Sequence, residues 1–254
     1  MNLPVGKKIY FASDNHLGAP TLDASRPREK IFVRWLDQIK EDAAAVFLLG
    51  DLFDFWFEYK EVVPKGFVRV LGKLAELRDQ GILIYFFVGN HDLWMGDYFE
   101  KELAIPVYRQ PQEFEINGKL FLLGHGDGLG PGDKGYKRMK KVFTNPFCQW
   151  LFRWLHPDLG VRLGKYMSVK NKLISGDEDV QFLGEDGEWL VQYAKRKLTV
   201  KHYDYFVFGH RHYPMKIQVG PESTYYNLGD WISHFTYGVF DGNHFELNTF
   251  AHNT

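Results

Sequence analysis

Ile9-Tyr10-Phe11-Ala12-Ser13 is an apolar, strand-like run that ends on Asp14-Asn15-His16, and the same pattern recurs along the chain. Val46-Phe47-Leu48-Leu49-Gly50 leads into Asp51, and Ile84-Tyr85-Phe86-Phe87-Val88-Gly89 into Asn90-His91-Asp92. Leu120-Phe121-Leu122-Leu123-Gly124 meets His125-Gly126-Asp127, and Tyr205-Phe206-Val207-Phe208-Gly209 meets His210-Arg211-His212. Ligand sites in open α/β sheets collect at the carboxyl ends of strands. Five strand ends bearing Asp, Asn and His therefore read as one site with seven potential metal ligands: Asp14, His16, Asp51, Asn90, His125, His210 and His212. If the first strand continued straight, Asp14 and His16, two residues apart, would face the same side; His210 and His212 repeat that spacing.

Between these runs lie amphipathic stretches near 27–41 (Ile31, Trp35, Leu36, Ile39) and 66–80 (Phe67, Val70, Leu71, Leu74, Leu77), the second stopped by Gly81. Strands near 8–12, 45–49 and 83–88 alternating with such helices predict a parallel sheet with helices outside it. After residue 112 the rhythm changes. Phe114–Ile116 and Leu120–Leu123 flank Asn117-Gly118, which favours a type I′ hairpin turn. Further strands are expected at 205–208, 215–219, 224–228, 235–240 and 244–249, giving two sheets with helices on their outer faces.

Residues 134–175 break this order. They read as helical, are cut by Pro146 and Pro157, and are rich in aromatics (Tyr136, Phe143, Phe147, Trp150, Phe152, Trp154, Tyr166). From Lys134 to Lys172 there are ten Lys or Arg against one acid, Asp158, in a chain whose formal net charge is only −1. A charge run is often no more than a solvated helix face. An insert between two site-bearing strands is expected to sit over the site as a cap, with 1–133 and 176–254 forming the core.

At 254 residues the chain is long enough for one large α/β domain, or a domain with an inserted subdomain, to fold without staples. Its lone Cys148 excludes an intrachain disulfide and suits a reducing compartment. No charged-then-apolar leader precedes the first strand, and no run approaches the roughly 18 apolar residues a membrane span needs. A cytoplasmic protein is expected.

Ligand chemistry narrows the site. The set lacks thiolate, which argues against structural zinc; imidazole, carboxylate and amide oxygen suit Mn²⁺, Fe²⁺, Zn²⁺ or Co²⁺. Seven ligands exceed the needs of one ion with open positions but suit two ions about 3.5–4 Å apart that share a carboxylate. Such a pair binds a phosphoryl group, acidifies a bridging water to near neutrality, and stabilises the charge of an in-line attack by the resulting hydroxide.

Asp14-x-His16, Gly50-Asp51, Gly89-Asn90-His91-Asp92, Gly124-His125 and Gly209-His210-x-His212, in this order, resemble the calcineurin-like metallophosphoesterases across nearly the whole chain. The resemblance implies a four-layer αββα sandwich of two mixed sheets with a helical cap insertion. It implies one ion held by Asp14, His16, Asp51 and His212, a second held by Asp51, Asn90, His125 and His210, and Asp51 as the bridge. His91 would act near the leaving group, with Asp92 holding its other ring nitrogen.

Within that superfamily the chain is most similar to the UDP-2,3-diacylglucosamine pyrophosphatases of lipid A biosynthesis. Gly50-Asp51-Leu52-Phe53-Asp54 with Trp56, His125-Gly126-Asp127, Asp133-x-Gly135-Tyr136 and Leu228-Gly229-Asp230-Trp231 carry that likeness. It implies attack at the α-phosphorus of a UDP-linked glycolipid, release of UMP and a lipid monosaccharide phosphate, and two divalent ions, Mn²⁺ foremost. It also implies action at the cytoplasmic face of the inner membrane and a cap sheltering acyl chains. Asp133 and Tyr136 match substrate-contacting positions, and Asn171 and Lys172 are further candidates. The cap's Lys and Arg would meet the diphosphate and the membrane surface, and its Phe and Trp the acyl chains.

One departure stands out: the best-known branch of that family has Arg where this chain has His91. A fixed charge assists a phosphate leaving group, whereas an alkoxide demands a proton, which His can deliver and Arg cannot. The alternative reading is therefore a metal-dependent phosphodiesterase or nucleotide phosphoesterase. Nucleic acid is not expected as a partner, because the basic residues are interleaved with bulky apolar ones rather than forming an extended stripe. A non-enzymatic scaffold is disfavoured by the presence of all seven ligands. Asp54 and Asp127 read as hydrogen-bonding supports rather than ligands.

Overall fold

The computed structural model describes residues 1–130, 134–175 and 181–251. Strand β1 (Lys8–Ala12), helix α1 (Leu22–Ile39), β2 (Ala43–Leu48), α2 (Val68–Asp79), β3 (Leu83–Phe87), α3 (Tyr98–Leu103) and β4 (Val107–Tyr108) follow one another. Next come β5 (Gln112–Ile116), β6 (Lys119–Gly124), α4 (Lys134–Phe143), α5 (Pro146–Arg153), α6 (Pro157–Ser175) and α7 (Trp189–Leu198). The chain ends in β7 (Tyr205–Phe208), β8 (Pro214–Gly220), β9 (Ser223–Leu228), β10 (Thr236–Phe240) and β11 (Phe245–Thr249).

The strands form two mixed sheets. In the first, ordered β11-β10-β1-β2-β3-β4, strands β1 to β4 run parallel, β10 pairs antiparallel with β1, and β11 pairs antiparallel with β10. In the second, ordered β5-β6-β7-β9-β8, strands β6, β7 and β9 are parallel, flanked by antiparallel β5 and β8. Side-chain alternation along each strand builds the layers. Ile9, Phe11, Ala45, Phe47, Leu49 and Phe87 face inward against Phe121, Leu123, Val207 and Tyr226 of the second sheet. Tyr10, Val46, Leu48, Ile84 and Phe86 face outward onto Phe32, Trp35 and Leu36 of α1 and Val70, Leu74 and Leu77 of α2. On the far side, Leu122, Phe206, Phe208 and Tyr225 pack on Leu190, Val191 and Ala194 of α7. The result is the expected αββα sandwich.

Local chemistry adjusts the expected boundaries. Helix α1 starts at Leu22, ahead of the apolar periodicity, because Thr21 caps it by accepting from Ala24 N at 3.1 Å. Asn117 and Gly118 adopt φ of 49° and 76°, the pair of left-handed residues a type I′ turn requires. Helix α5 begins with Pro146 at its first position and Asn145 as cap, an arrangement that ends one helix and starts another. Short β4, α3 and α7 carried too little periodic signal to be anticipated. Among the described residues no helix is long and apolar enough to cross a membrane.

Candidate metal centre

The carboxyl ends of β1, β2, β3, β6 and β7 converge, and all seven expected ligands lie there. The route is not the expected one. Asp14 and His16 do not extend β1; both adopt left-handed backbone (φ 55° and 44°), as do Asp51 (54°) and His210 (70°). The turns are held by a ladder between the loops after β1 and β2: Asp14 N donates to Gly50 O (3.1 Å), His16 N to Asp51 O (2.9 Å) and Leu17 N to Leu52 O (3.0 Å). Non-glycine residues rarely accept such conformations unless their surroundings enforce them, and clusters of them mark functional sites. The glycines before the ligands have a separate reason. A Cβ on Gly89 would collide with the Asp51 carboxylate, and one on Gly209 would lie 2.5 Å from Asp14 Oδ2.

Two overlapping ligand sets result. Asp14 Oδ1 lies 3.8 Å from both His16 Nε2 and His212 Nε2, and His16 Nε2 lies 3.6 Å from Asp51 Oδ2. On the other side of Asp51, the same Oδ2 is 3.4 Å from His125 Nε2, and Asn90 Oδ1 is 3.0 Å from His125 Nε2 and 2.9 Å from His210 Nδ1. Ligand atoms held about 2.1 Å from one cation sit about 3.0–3.4 Å apart. The observed separations are close to that spacing. Asp14 Oδ1 and His16 Nε2 are buried without a hydrogen-bond partner among the described residues. Buried polar atoms are almost always satisfied, so these two oriented, unsatisfied atoms fit a cation placed between them. Asp51, reaching both sets, is where a shared ligand belongs.

The charges agree. Burial alone would raise the Asp14 and Asp51 carboxyls. For Asp14, nearby His16, His125 and His212 outweigh it and bring the group down to about 2. For Asp51, chiefly His125 and His91 do so, holding it well below the usual carboxylate range. Burial would lower the His125 imidazole, but Asp51 and Asp14 raise it to about 10. Two ionised carboxylates, Asp14 and Asp51, thus face a His125 imidazole that favours its proton, a proton that divalent ions would displace.

Supporting groups fix the rings. His125 Nδ1 is 2.8 Å from Leu49 O, a carbonyl that only accepts, so Nε2 is left for the metal. His212 Nδ1 lies 3.2 Å from Asp230 Oδ2, which leaves Nε2 facing Asp14. Asp230 was not expected as a support, although it stands at a strand end after glycine, the same signal that marked Asp51. His234 contributes its backbone N–H to Asp230 (2.9 Å), and its ring turns to Tyr213.

One expectation needs correction. Asp92 does not hold the His91 ring; its Oδ1 accepts from Gly89 N (2.6 Å) and its Oδ2 from Leu52 N (3.1 Å), tying the loops after β2 and β3 together. Burial first, and the Asp51 charge second, push this carboxyl up to about 8. The ring of His91 instead sets Nδ1 against Asp54 O (3.0 Å) and Ser168 Oγ (2.9 Å), with Asp54 Oδ1 at 3.6 Å. Its backbone N–H donates to Asp51 Oδ1 (2.8 Å). Of the expected substrate contacts, Tyr136 on α4 donates its hydroxyl to Asp127, which also meets Lys140 Nζ at 2.5 Å. Asp133 lies outside the described residues. Asn171 and Lys172 fall within α6, and their side chains are outside the described set.

Comparison with known proteins agrees with this geometry. Residues 7–214 match the family model for calcineurin-like phosphoesterases. A UDP-2,3-diacylglucosamine hydrolase of Porphyromonas gingivalis is 39% identical over 249 residues, spanning 92% of this chain and 94% of that protein. Enzymes of the same name from Actinobacillus succinogenes (29% over 226 residues; 88% and 92%) and Edwardsiella ictaluri (27% over 230 residues; 88% and 85%) are similar along most of their length. The chain is a metal-dependent hydrolase belonging to the calcineurin-like phosphoesterase family.

Proposed function

We propose that this enzyme hydrolyses the diphosphate of UDP-2,3-diacylglucosamine, adding water at the α-phosphorus and releasing UMP and a lipid monosaccharide phosphate. The observation that carries this reading is the 39% identity to a UDP-2,3-diacylglucosamine hydrolase over 92% of the chain, insert included. When bound, two divalent ions, Mn²⁺ in this reading, supply positive charge at the phosphoryl oxygens and a water acidic enough to react near neutral pH.

The chain's own residues arrange the rest. Asp14, His16 and His212 on one side and Asn90, His125 and His210 on the other would hold the ions, with Asp51 placed to serve both sets. Cleavage of the P–O–P bridge expels a phosphate monoester. His91 stands beside the ligand cluster with Nδ1 directed at Asp54 O and Ser168 Oγ, so Nε2 is the nitrogen that presents a proton and charge to the departing oxygen. The Asp54 carboxylate, 3.6 Å from Nδ1, balances the imidazolium. In this reading Asp133, Tyr136, Asn171 and Lys172 contact the substrate.

Helices α4 to α6 supply the cap. Phe147, Trp150 and Leu151 of α5 and its C-cap residue Trp154 recur at i, i+3, i+4 and i+7 and are 64, 50, 49 and 75% exposed. The opposite face is anchored by Phe152, packed on Phe57 and Trp94 at 4.7 and 4.4 Å. An exposed Trp/Phe face with Arg153 in the same helix, on a cap rich in Lys and Arg, suits an anionic lipid surface; in this reading the enzyme works at the cytoplasmic face of the inner membrane and draws acyl chains from it. The test is direct: incubate purified protein with Mn²⁺ and UDP-2,3-diacylglucosamine. UMP release above a metal-free control is expected. No release, with turnover of bis-p-nitrophenyl phosphate or cyclic nucleotides instead, would establish a phosphodiesterase.

A further inference from the structure

The three buried positions of α6 among its described side chains are Gly160, Gly164 and Ser168, one residue per turn on a single face. This face rests on the loop that follows Asp51. A Cβ at Gly160 would overlap the Tyr59 hydroxyl, and one at Gly164 would overlap the Phe55 ring. The two glycines therefore let the helix backbone lie directly on Phe55 and Tyr59. The next residue of the same face, Ser168, is only 9% exposed and reaches past them to the site. Its hydroxyl donates to Asp54 Oδ2 at 2.9 Å. A hydroxyl proton committed to a carboxylate leaves only lone pairs for the imidazole. The 2.9 Å contact with His91 Nδ1 is therefore a hydrogen bond that Ser168 accepts, alongside the one Asp54 O accepts at 3.0 Å. Both partners demand the same ring, with its proton on Nδ1.

We propose that Ser168 is a positioning residue through which the seating of cap helix α6 sets the orientation of the His91 ring, so that the cap's docked arrangement and a correctly aimed His91 form together. The core supplies one acceptor for Nδ1, and the cap supplies the second. Arg at position 91 has no tautomer to be set in this way, so the device belongs to a His-bearing site. This inference rests on the proposed role of His91 at the leaving group.

The test combines Ser168→Ala with His91→Gln. In the metal-loaded enzyme, Ser168→Ala is expected to lower kcat by about tenfold with KM little changed, in the range expected for supports of a site residue. In the His91→Gln background the same substitution should add almost nothing, because its effect passes through the imidazole. Zn²⁺-loaded, ¹⁵N-histidine-labelled protein gives an activity-independent readout. The His91 Nδ1 proton, shared by two acceptors, should exchange slowly in wild type and measurably faster in Ser168→Ala. Equal losses from Ser168→Ala with and without His91, or unchanged exchange of the ring proton, would overturn the proposal. Wild-type activity in His91→Gln itself would instead remove the role assigned to His91, while the exchange measurement would still decide whether Ser168 orients the ring.

Discussion

Asp230 Oδ2 lies 3.2 Å from His212 Nδ1, while its Oδ1 collects the backbone N–H groups of Ile232, Ser233 and His234 at 2.8–3.2 Å. Burial would raise this carboxyl, but His212 and those backbone donors hold it below the usual range. It is a fixed anion aimed at one ligand ring. Asp230→Ala should therefore weaken metal binding on the His16/His212 side by about 10- to 100-fold and leave the His125/His210 side much less affected. Competitive titration against a chelator measures both affinities; an equal loss at both, or no loss, contradicts this role.

The pH dependence of metal binding follows from His125. Its imidazole, ordinarily near 6.5, is raised to about 10 in the metal-free protein. A raised imidazole contributes stability that is complete below 6.5 and is lost as the pH climbs through about 10. Metal binding requires the neutral ring, so it must expel that proton. Apparent affinity should rise with pH between about 6.5 and 9, by up to about tenfold per unit for each proton displaced. Calorimetric titration in buffers of different ionisation heat should report proton release; a pH-independent affinity without release would contradict it.

His91→Gln should cut turnover of the diphosphate substrate by about 10²- to 10⁴-fold, chiefly in kcat. Bis-p-nitrophenyl phosphate, whose leaving group needs no proton, should be affected far less. His91→Arg should retain more diphosphatase activity than His91→Gln, since fixed charge also assists a phosphate leaving group. Equal losses on both substrates would remove His91 from leaving-group chemistry.

Trp150→Ser with Trp154→Ser should abolish sedimentation with vesicles containing anionic phospholipid and leave turnover of a water-soluble short-chain substrate unchanged. Wild-type binding should also weaken as salt is raised, as the neighbouring cations are screened. Vesicle binding unaffected by the substitutions would place the membrane contact elsewhere.

Arg211, between the candidate ligands His210 and His212, is buried and meets the buried Glu188 carboxylate through Nε and Nη2, each at 3.1 Å. Glu188→Ala removes two charge-assisted hydrogen bonds from a buried guanidinium and should destabilise the fold by about 1.5–3 kcal/mol. Denaturant unfolding of the metal-free protein reads this directly. A change within about 0.5 kcal/mol, the range of surface substitutions, would show the pair to be dispensable.

The layers and the convergence of the candidate ligands were legible in the sequence for the same reason. Strands β1, β2, β3, β6 and β7 alternate apolar side chains between two faces and then lead into a residue that can bind metal, so periodicity and chemistry coincide at Asp14, Asp51, Asn90, His125 and His210. How the ligands converge was not legible: Asp14 and His16 arrive through left-handed turns, a conformation set by the neighbouring loop's carbonyls rather than by residue type. Nor was the support of His91. Asp92 follows it in the chain, yet its carboxylate is committed to Leu52 N and Gly89 N, and the ring's partners come from Asp54 and from Ser168, 77 residues away. Spacing along the chain carries no signal for a contact made by helix docking.

The most direct measurement is Mn²⁺ titration of metal-free protein followed by electron paramagnetic resonance and elemental analysis. Two ions per chain are predicted, with a spin-coupled signal from a pair sharing Asp51 that Asp51→Asn abolishes. One magnetically isolated ion per chain, or a coupled pair that survives Asp51→Asn, would contradict a dinuclear centre built on that carboxylate.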